Sequence, residues 1–201
     1  RAPEVKTLRR KLSILAALNR AVPFGRELAR RRIQTRGKGF GFLYIDGHVR
    51  VYHGKHPIPK AHVARMRFAM PATSDYWIND QSGEPLFVVT AEANAGLARM
   101  LPPLLAEIRA LVGKRRVTVV FDRGGWSPKL FQDIIARGFD ILTYRKGRFR
   151  RLARSRFRNH AAVIDGRKVA YMLADQGVWL LGGALRLRQV TRLSSDGHQT
   201  P

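Results

Sequence analysis

Residues 117–122 read VTVVFD, and residues 41–46 read GFLYID. Each is a short apolar run that ends in one aspartate, which is typical of a buried β-strand whose last residue reaches the surface. If the two strands are neighbours in one sheet, Asp46 and Asp122 lie side by side at one edge. The chain has only 14 Asp and Glu against 38 Lys and Arg. Two acidic strand ends in so basic a protein predict a divalent metal site held against a polyanion.

The composition is that of a globular protein with an unusual excess of positive charge. Of 201 residues, 45% are hydrophobic, and the net charge is +24. Charge of this size destabilises a compact fold unless an anionic partner offsets it. Nucleic acid is the favoured partner, because neutralised phosphates release counterions. A membrane partner is not expected: no basic helix carries a strong aromatic face, and no stretch has the roughly 20 apolar residues of a membrane span.

The chain has no cysteine, which excludes disulfides and thiolate zinc sites and fits a reducing cytoplasm. Four histidines lie close together in the sequence, and two of them could share a zinc ion. No cysteine or acidic cluster completes a ligand set, so we expect these histidines to be exposed or to contact phosphate. They are His48, His53, His56 and His62.

The N-terminal residues predict two basic helices, because leucines recur at helical spacing before and after Pro23. Basic residues at 30–32 and 36–38 follow. We interpret them as an arm that contacts phosphate, and the alternative is a solvated helix face with a linker. Residues 1–38 therefore form a predicted basic helical segment, and residues 39–201 form the rest of the domain.

From residue 39 the pattern changes to short strands. Residues 41–46 and 49–53 predict a hairpin with a tight turn at Gly47 and His48, since Asp-Gly is a favoured turn dipeptide. Residues 54–70 predict a basic, irregular stretch.

Further elements follow in the order hairpin, helix, strand, helix, strand. Pro102 and Pro103 predict a kink or an interruption in the first helix. Ser127 caps the second, with Pro128 at its first position. This order predicts a mixed α/β layer with an antiparallel edge, and turns in the last 50 or so residues predict a small β-rich insert from about residue 150. The predicted ranges are 76–78 and 86–90 for the hairpin, 94–112 and 128–136 for the helices, and 117–121 and 140–144 for the strands.

Two carboxylates at one sheet edge suit a hard divalent cation. Mg²⁺ binds one or two carboxylates and completes its shell with water and phosphate oxygens. Two such ions about 4 Å apart can stabilise an in-line phosphoryl displacement, whereas zinc needs more nitrogen or sulfur ligands. The alternative is that Asp46 begins a turn and Asp122 caps the next helix. The charge of the chain and the strand order favour the metal site.

Several segments together resemble the catalytic core of DDE-type insertion-sequence transposases. They are YIDGHVRVYHG at 44–54, ATSDYW at 72–77, VFDRGGWSP at 120–128, LTYRKG at 142–147 and DGHQT at 196–200. The resemblance implies an α/β fold with an RNase H-like mixed sheet and flanking helices, here with a β-rich insert and the basic N-terminal segment. It implies Mg²⁺- or Mn²⁺-dependent cleavage and transfer of DNA strands, in which water or a DNA 3′-hydroxyl attacks.

The same resemblance implies that Asp46 is the first catalytic acid and Asp122 the second, and that both hold the metal. The third, a glutamate on a later helix, has no match here, because Glu84, Glu92 and Glu107 all precede Asp122. We expect that helix beyond residue 201 and a poorly active or inactive fragment. A second departure is Gly124, where relatives commonly carry a glutamate.

The resemblance implies DNA as the partner, both transposon ends and target, with a homodimer in the DNA complex. It implies a bacterial cytoplasmic location, associated with the nucleoid when DNA is bound. We expect the basic run at 145–151 to grip backbone phosphates near the catalytic edge, and Trp126 to pack a helix start rather than stack on a base. The predicted DNA contacts are Lys55, Lys60, Arg123, Lys129, Arg145, Lys146 and Arg148.

Two other functions fit part of the pattern. A decayed transposase remnant would bind nucleic acid through the basic surface without catalysis, and the Asp46 and Asp122 carboxylates would then be dispensable. A ribosomal or RNA-chaperone protein also fits the charge, but it does not explain two buried strands that end in acids. Preference for structured RNA over duplex DNA would favour that third function.

Overall fold

The computed structural model describes residues 3–36, 40–63 and 66–201. Gly37 and Lys38 of the predicted phosphate-contacting arm lie outside these residues. Within them the chain forms four α-helices and ten β-strands. These are α1 Val5–Ala17, α2 Ala21–Arg36, β1 Phe42–Val51, β2 Lys60–Val63, β3 Phe68–Asn79, β4 Pro85–Ala91, α3 Leu97–Val112, β5 Val117–Phe121, α4 Pro128–Ala136, β6 Phe139–Thr143, β7 Arg158–Ile164, β8 Arg167–Leu180, β9 Leu185–Leu193 and β10 Gln199–Thr200.

The central sheet is mixed, with β1 in the middle. On one side β1 pairs antiparallel with β3, which pairs antiparallel with β4 and, at its beginning, with β2. On the other side β1 pairs parallel with β5, which pairs parallel with β6. Three antiparallel strands followed by two parallel ones confirm the mixed α/β class and the RNase H-like sheet with flanking helices.

One face of this sheet packs against α2, α3 and α4. The apolar residues of β1 and β5 that point to this face are buried, as Leu43, Ile45 and Val119 show, and they share one cluster with the buried face of α3. The opposite face carries apolar side chains that are about two fifths exposed or more. These are Phe42, Tyr44, Trp77, Val88 and Leu142.

The predicted hairpin at Gly47 and His48 is wrong, because β1 runs without a turn from Phe42 to Val51. Gly47 lies in extended backbone opposite Tyr76 of β3. A Cβ atom on Gly47 would come within 2.8 Å of Tyr76 Cε1. Here glycine makes room for an aromatic ring on the neighbouring strand, which is a known use of glycine inside a strand.

The predicted interruption of α3 is also wrong, because the helix continues through Pro102 and Pro103. A proline inside a helix costs about 3 kcal/mol or more. Burial of one leucine or isoleucine contributes about 1.5–3 kcal/mol, and α3 buries Leu101, Leu104 and Ile108 among others. Packing on the sheet therefore outweighs the lost backbone hydrogen bonds.

The stretch at residues 54–70, predicted to be irregular, contains β2 and the first residues of β3. Its strand content escaped prediction because β2 is short, with only Ala61 and Val63 buried. The other predicted elements of the core, including the second hairpin, β5 and α4 with its Ser127 cap, are present.

A second, antiparallel sheet follows the first, in the order β10-β9-β8-β7. Its first hairpin turns at Asp165 and Gly166, both with positive φ, as a two-residue turn of type I′ requires. Leu185 on its inner face belongs to the main core cluster. The buried Gln199 side chain bonds the backbone N–H and C=O of Leu152, which ties the preceding loop to this sheet.

The two N-terminal helices differ in how they pack. No residue of α1 is buried, whereas Ala29 and Ile33 of α2 are core residues. Arg30 and Arg31 pair with Glu27, and Arg32 pairs with Glu84. These three arginines of the predicted phosphate-contacting arm are thus engaged within the protein. Among the described residues, no helix has the length and apolar character to cross a membrane.

Replacing Gly47 by valine tests the close approach of Tyr76. The added side chain must displace a buried ring, so we expect a loss of about 1–3 kcal/mol in the free energy of unfolding. Urea denaturation followed by circular dichroism measures it. The control is Gly41→Ala, because the nearest atom to a Cβ there is Gln81 Oε1 at 4.0 Å. Equal stability of the two variants would contradict the role given to Gly47.

Candidate active site

The parallel pairing of β1 and β5 brings Asp46 and Asp122 together. Ile45 is the register partner of Phe121, and each aspartate is the next residue along its strand. Neighbouring strands lie about 4.8 Å apart, and residues at the same register point to the same face. The register therefore places Asp46 and Asp122 next to each other on neighbouring strands. Asp122 directly follows the last residue of β5, but Asp46 lies in the middle of β1, so the prediction of a strand end is wrong for Asp46. Both aspartates are exposed.

The backbone after β5 fixes the Asp122 side chain. Residues Arg123–Gly125 form one 3₁₀ turn, and Asp122 caps it by accepting a hydrogen bond of 2.8 Å from the Gly124 N–H to Oδ1. A Cβ on Gly124 would lie 2.9 Å from the same oxygen. Asp122 therefore has the capping role that the sequence offered as the alternative to metal binding. This role uses one of its two carboxylate oxygens, Oδ1.

A cleft of about 260 Å³ opens beside the two aspartates. The residues before α3 and its first residue, Leu97, also line it. Its lining includes Asp46, Gly47, His48, Ser74, Tyr76, Asn94, Gly96, Asp122 and Gly124.

Tyr76 forms the floor of this cleft and is buried. Its hydroxyl donates a hydrogen bond to the backbone oxygen of Ala95. Burial, and next the negative charge of Asp122, raise the pKa of the Tyr76 phenol above its ordinary value. Tyr76 therefore stays neutral, holds β3 to the residues before α3, and lies within electrostatic reach of Asp122.

The ion pairs that the structure describes involve carboxylates other than those of Asp46 and Asp122. Arginines hold carboxylates elsewhere, as in the pairs Arg116–Asp140 and Arg188–Asp175. Within residues 3–36, 40–63 and 66–201 no ion pair reaches Asp46 or Asp122. In a chain with a net charge of +24, both carboxylates are thus without a basic partner among the described residues.

Asp75 is a carboxylate near the site that sequence reasoning missed. It is the register partner of His48, so it lies on the same face as Asp46. It is almost fully buried, Arg50 Nε approaches its Oδ2 at 2.7 Å, and the Thr90 hydroxyl donates to its Oδ1 at 2.8 Å. Its charge is matched inside the protein. The ATSDYW segment at residues 72–77 was the sequence feature that pointed to this region. The position of Asp75 relative to Asp46 follows only from the pairing of β1 with β3.

No group of three or more histidines, cysteines or acidic residues that could hold a metal ion exists in the part of the chain described. Glu84 and Glu107 pair with arginines of α2. Of the four clustered histidines, His48 lines the cleft, and His53, His56 and His62 are exposed on the following loop and β2.

The predicted DNA contacts fall into two groups. Six are exposed, namely Lys55, Lys60, Arg123, Lys129, Lys146 and Arg148. Arg145 is half-buried, and its guanidinium donates a 2.7 Å hydrogen bond to Gln189 Oε1 of β9. The backbone N–H of Arg145 also donates a hydrogen bond to the carbonyl oxygen of Pro201. Both bonds hold Arg145 toward the second sheet. Trp126 packs edge-to-face on Phe131, with ring centroids 5.1 Å apart, as predicted.

A family model described as "Transposase protein" matches residues 1–201. A comparison with curated protein sequences gives no match.

Solved structures show a distant likeness. A cryo-EM structure of the piggyBac transposase synaptic complex with hairpin DNA matches with 12% identity and a TM-score of 0.47, over 80% of this chain and 32% of that one. The Mos1 mariner paired end complex with Mn matches with 17% identity and a TM-score of 0.35, over 59% and 40%. The Mos1 catalytic domain with raltegravir and Mn matches with 14% identity and a TM-score of 0.36, over 59% and 56%. The chain thus spans about a third to just over half of these proteins.

Asp75→Asn tests whether the buried carboxylate is structural. The substitution removes the charge that faces Arg50, so we expect a loss of about 1–3 kcal/mol in the free energy of unfolding. The control is Asp140→Asn, which breaks an exposed pair with Arg116 and should cost about 0–1 kcal/mol. Chemical denaturation at neutral pH measures both. If Asp75→Asn costs no more than its control, the buried pair does not hold β3 to β1.

Proposed function

Because the chain belongs to the transposase family, we propose that it acts in DNA transposition and that Asp46 and Asp122 hold divalent metal ions for the cleavage and transfer of DNA strands. The observation that supports this proposal is the register of β1 and β5, which aligns Ile45 with Phe121 and so pairs the two acids.

The donor set at this edge fits a hard cation. Both side chains offer carboxylate oxygens only, both are exposed, and no described arginine or lysine competes for them. Oxygen donors of this kind suit Mg²⁺ or Mn²⁺. When bound, such an ion supplies charge neutralisation at the phosphate and activation of the attacking water or 3′-hydroxyl.

The residues around the acids have distinct roles in the proposal. The Gly124 amide orients the Asp122 carboxylate through its Oδ1. Tyr76 remains protonated and holds the residues before α3, which line the cleft. Arg123 follows Asp122 directly, is exposed and places its guanidinium 5.8 Å from the Tyr144 ring centroid. Its charge attracts a phosphate to the edge where the two carboxylates lie.

The chain alone supplies an incomplete set of acids. No glutamate follows Asp122 in the sequence, and Asp75 is already paired with Arg50. We therefore propose weak metal binding by the two aspartates and little or no strand cleavage by these 201 residues by themselves. The partners proposed are transposon ends and target DNA, with a homodimer in the DNA complex.

A second candidate is a nucleic-acid-binding protein without metal chemistry. The absence of a three-residue metal cluster among the described residues favours it. The two candidates differ in one measurable property, which is whether metal affinity depends on Asp46 and Asp122.

Metal titration distinguishes these candidates. We expect Mn²⁺ binding, followed by electron paramagnetic resonance, to weaken at least about tenfold in Asp46→Asn and in Asp122→Asn, because each substitution removes one charged ligand. The control is Asp165→Asn, which removes the same charge from an exposed turn where φ is positive and asparagine is tolerated. Equal Mn²⁺ affinity in all three variants and the parent chain would favour the candidate without metal chemistry.

DNA binding should depend on salt and on the exposed basic residues. We expect Lys146→Ala and Arg148→Ala each to weaken binding of duplex DNA uniformly across sequences and to reduce the slope of log K against log salt by about 1. Fluorescence anisotropy in a salt series measures this slope. The control is Arg137→Ala, since Arg137 pairs with Asp133 on α4. A stronger preference for structured RNA than for duplex DNA would instead indicate an RNA-binding protein.

A further inference from the structure

The second sheet has a packed face and an open face. On β9, Leu185, Gln189 and Thr191 are buried and Leu187 packs against the core, whereas the alternate residues Arg186, Arg188, Val190 and Arg192 are exposed. Cross-strand partners share a face, so the register of β7, β8 and β9 defines the residues of this outer face. It carries five arginines, namely Arg158, Arg167, Arg186, Arg188 and Arg192.

Two of these arginines lie against aromatic rings. Arg186 is opposite Trp179, and its guanidinium carbon is 5.8 Å from the indole centroid. Arg192 is 4.8 Å from the centroid of Tyr171. Trp179 is 63% exposed. A Cβ on Gly177 would lie 3.3 Å from Arg186 Nε, so glycine lets the guanidinium lie across the strand beside the indole.

The charge of this face is unbalanced. Its acidic residue, Asp175, receives hydrogen bonds from Arg188, which lower the pKa of Asp175. The other four arginines of the face have no ion pair within the residues that the structure describes. The outer face therefore presents positive charge together with flat aromatic surface.

We propose that the outer face of the second sheet binds an unpaired nucleic-acid strand, with Trp179 and Tyr171 stacking on bases and the arginines contacting phosphates. Proteins that bind single strands combine a positive surface with aromatic side chains on which bases stack, and a four-stranded sheet is one established platform for this. Duplex DNA keeps its bases stacked inside the helix, so it offers no base face to an exposed indole.

The distance between the aromatic residues fits a strand that spans several nucleotides. Trp179 and Tyr171 lie on the same strand, β8, about 26 Å apart at about 3.3 Å per residue. None of the DNA contacts predicted from the sequence lies on this face. The surface is separate from the edge that carries Asp46 and Asp122, and the inference does not depend on metal binding there.

Fluorescence anisotropy with the full 201-residue chain in EDTA tests the proposal. The probes are a labelled oligo(dT) of about 20 nucleotides and a duplex of equal length. We expect Trp179→Ala to weaken single-strand binding about tenfold, and duplex binding less than about twofold, because stacking on an aromatic ring requires an unpaired base. Trp179→Phe should retain most single-strand affinity.

The matched control is Phe24→Ala, which removes an exposed aromatic side chain from α2 and should leave both affinities unchanged. Circular dichroism checks that each variant is folded. Equal losses for single strand and duplex would overturn the proposal, because they would show contact with phosphates alone. Unchanged single-strand affinity in Trp179→Ala would overturn it as well. EDTA removes divalent ions, so neither result bears on Asp46 and Asp122.

Discussion

The parallel register of β1 on β5 is the constraint on which the candidate site depends. Because side chains alternate along a strand, a slip of one residue would move Asp46 to the other face and separate it from Asp122. Leu43, Ile45, Val119 and Phe121 prevent that slip, since all four are buried beneath the helices. The apolar core thus sets the geometry of the polar site beside it.

Glycines around the two aspartates leave space for neighbouring side chains. Gly47 leaves space for the Tyr76 ring, and Gly124 leaves space for the Asp122 carboxylate. A Cβ on Gly125 would come within 2.5 Å of Phe121 Cδ2 and 2.9 Å of Leu101 Cδ1. Between β5 and α4 the chain therefore passes the first turns of α3 at two glycines, Gly124 and Gly125. The segment from Asp122 to Gly125 thus orients the Asp122 carboxylate and also packs against the apolar core.

The sequence alone was sufficient for the elements that combine an apolar run with clear boundaries, such as β5 and α4. It also placed Asp122 at the end of β5, but it did not show that β1 continues beyond Asp46. It failed where a local preference competed with tertiary packing. Asp46-Gly47 has the composition of a turn, yet Tyr76 makes the glycine part of a strand, and leucine burial keeps α3 whole despite two prolines. Asp75 and Arg145 could not be placed, because their roles depend on cross-strand partners, Arg50 and Gln189, that no local pattern reveals.

Electrostatics connects these observations to the candidate chemistry. Arginines relieve the acids at Asp75, Asp140 and Asp175, but no described residue does so at Asp46 or Asp122. The chain has 38 basic residues, yet none of those that the structure describes forms an ion pair with either aspartate. In the proposed function, a divalent cation supplies this counter-charge and binds the phosphate of the DNA.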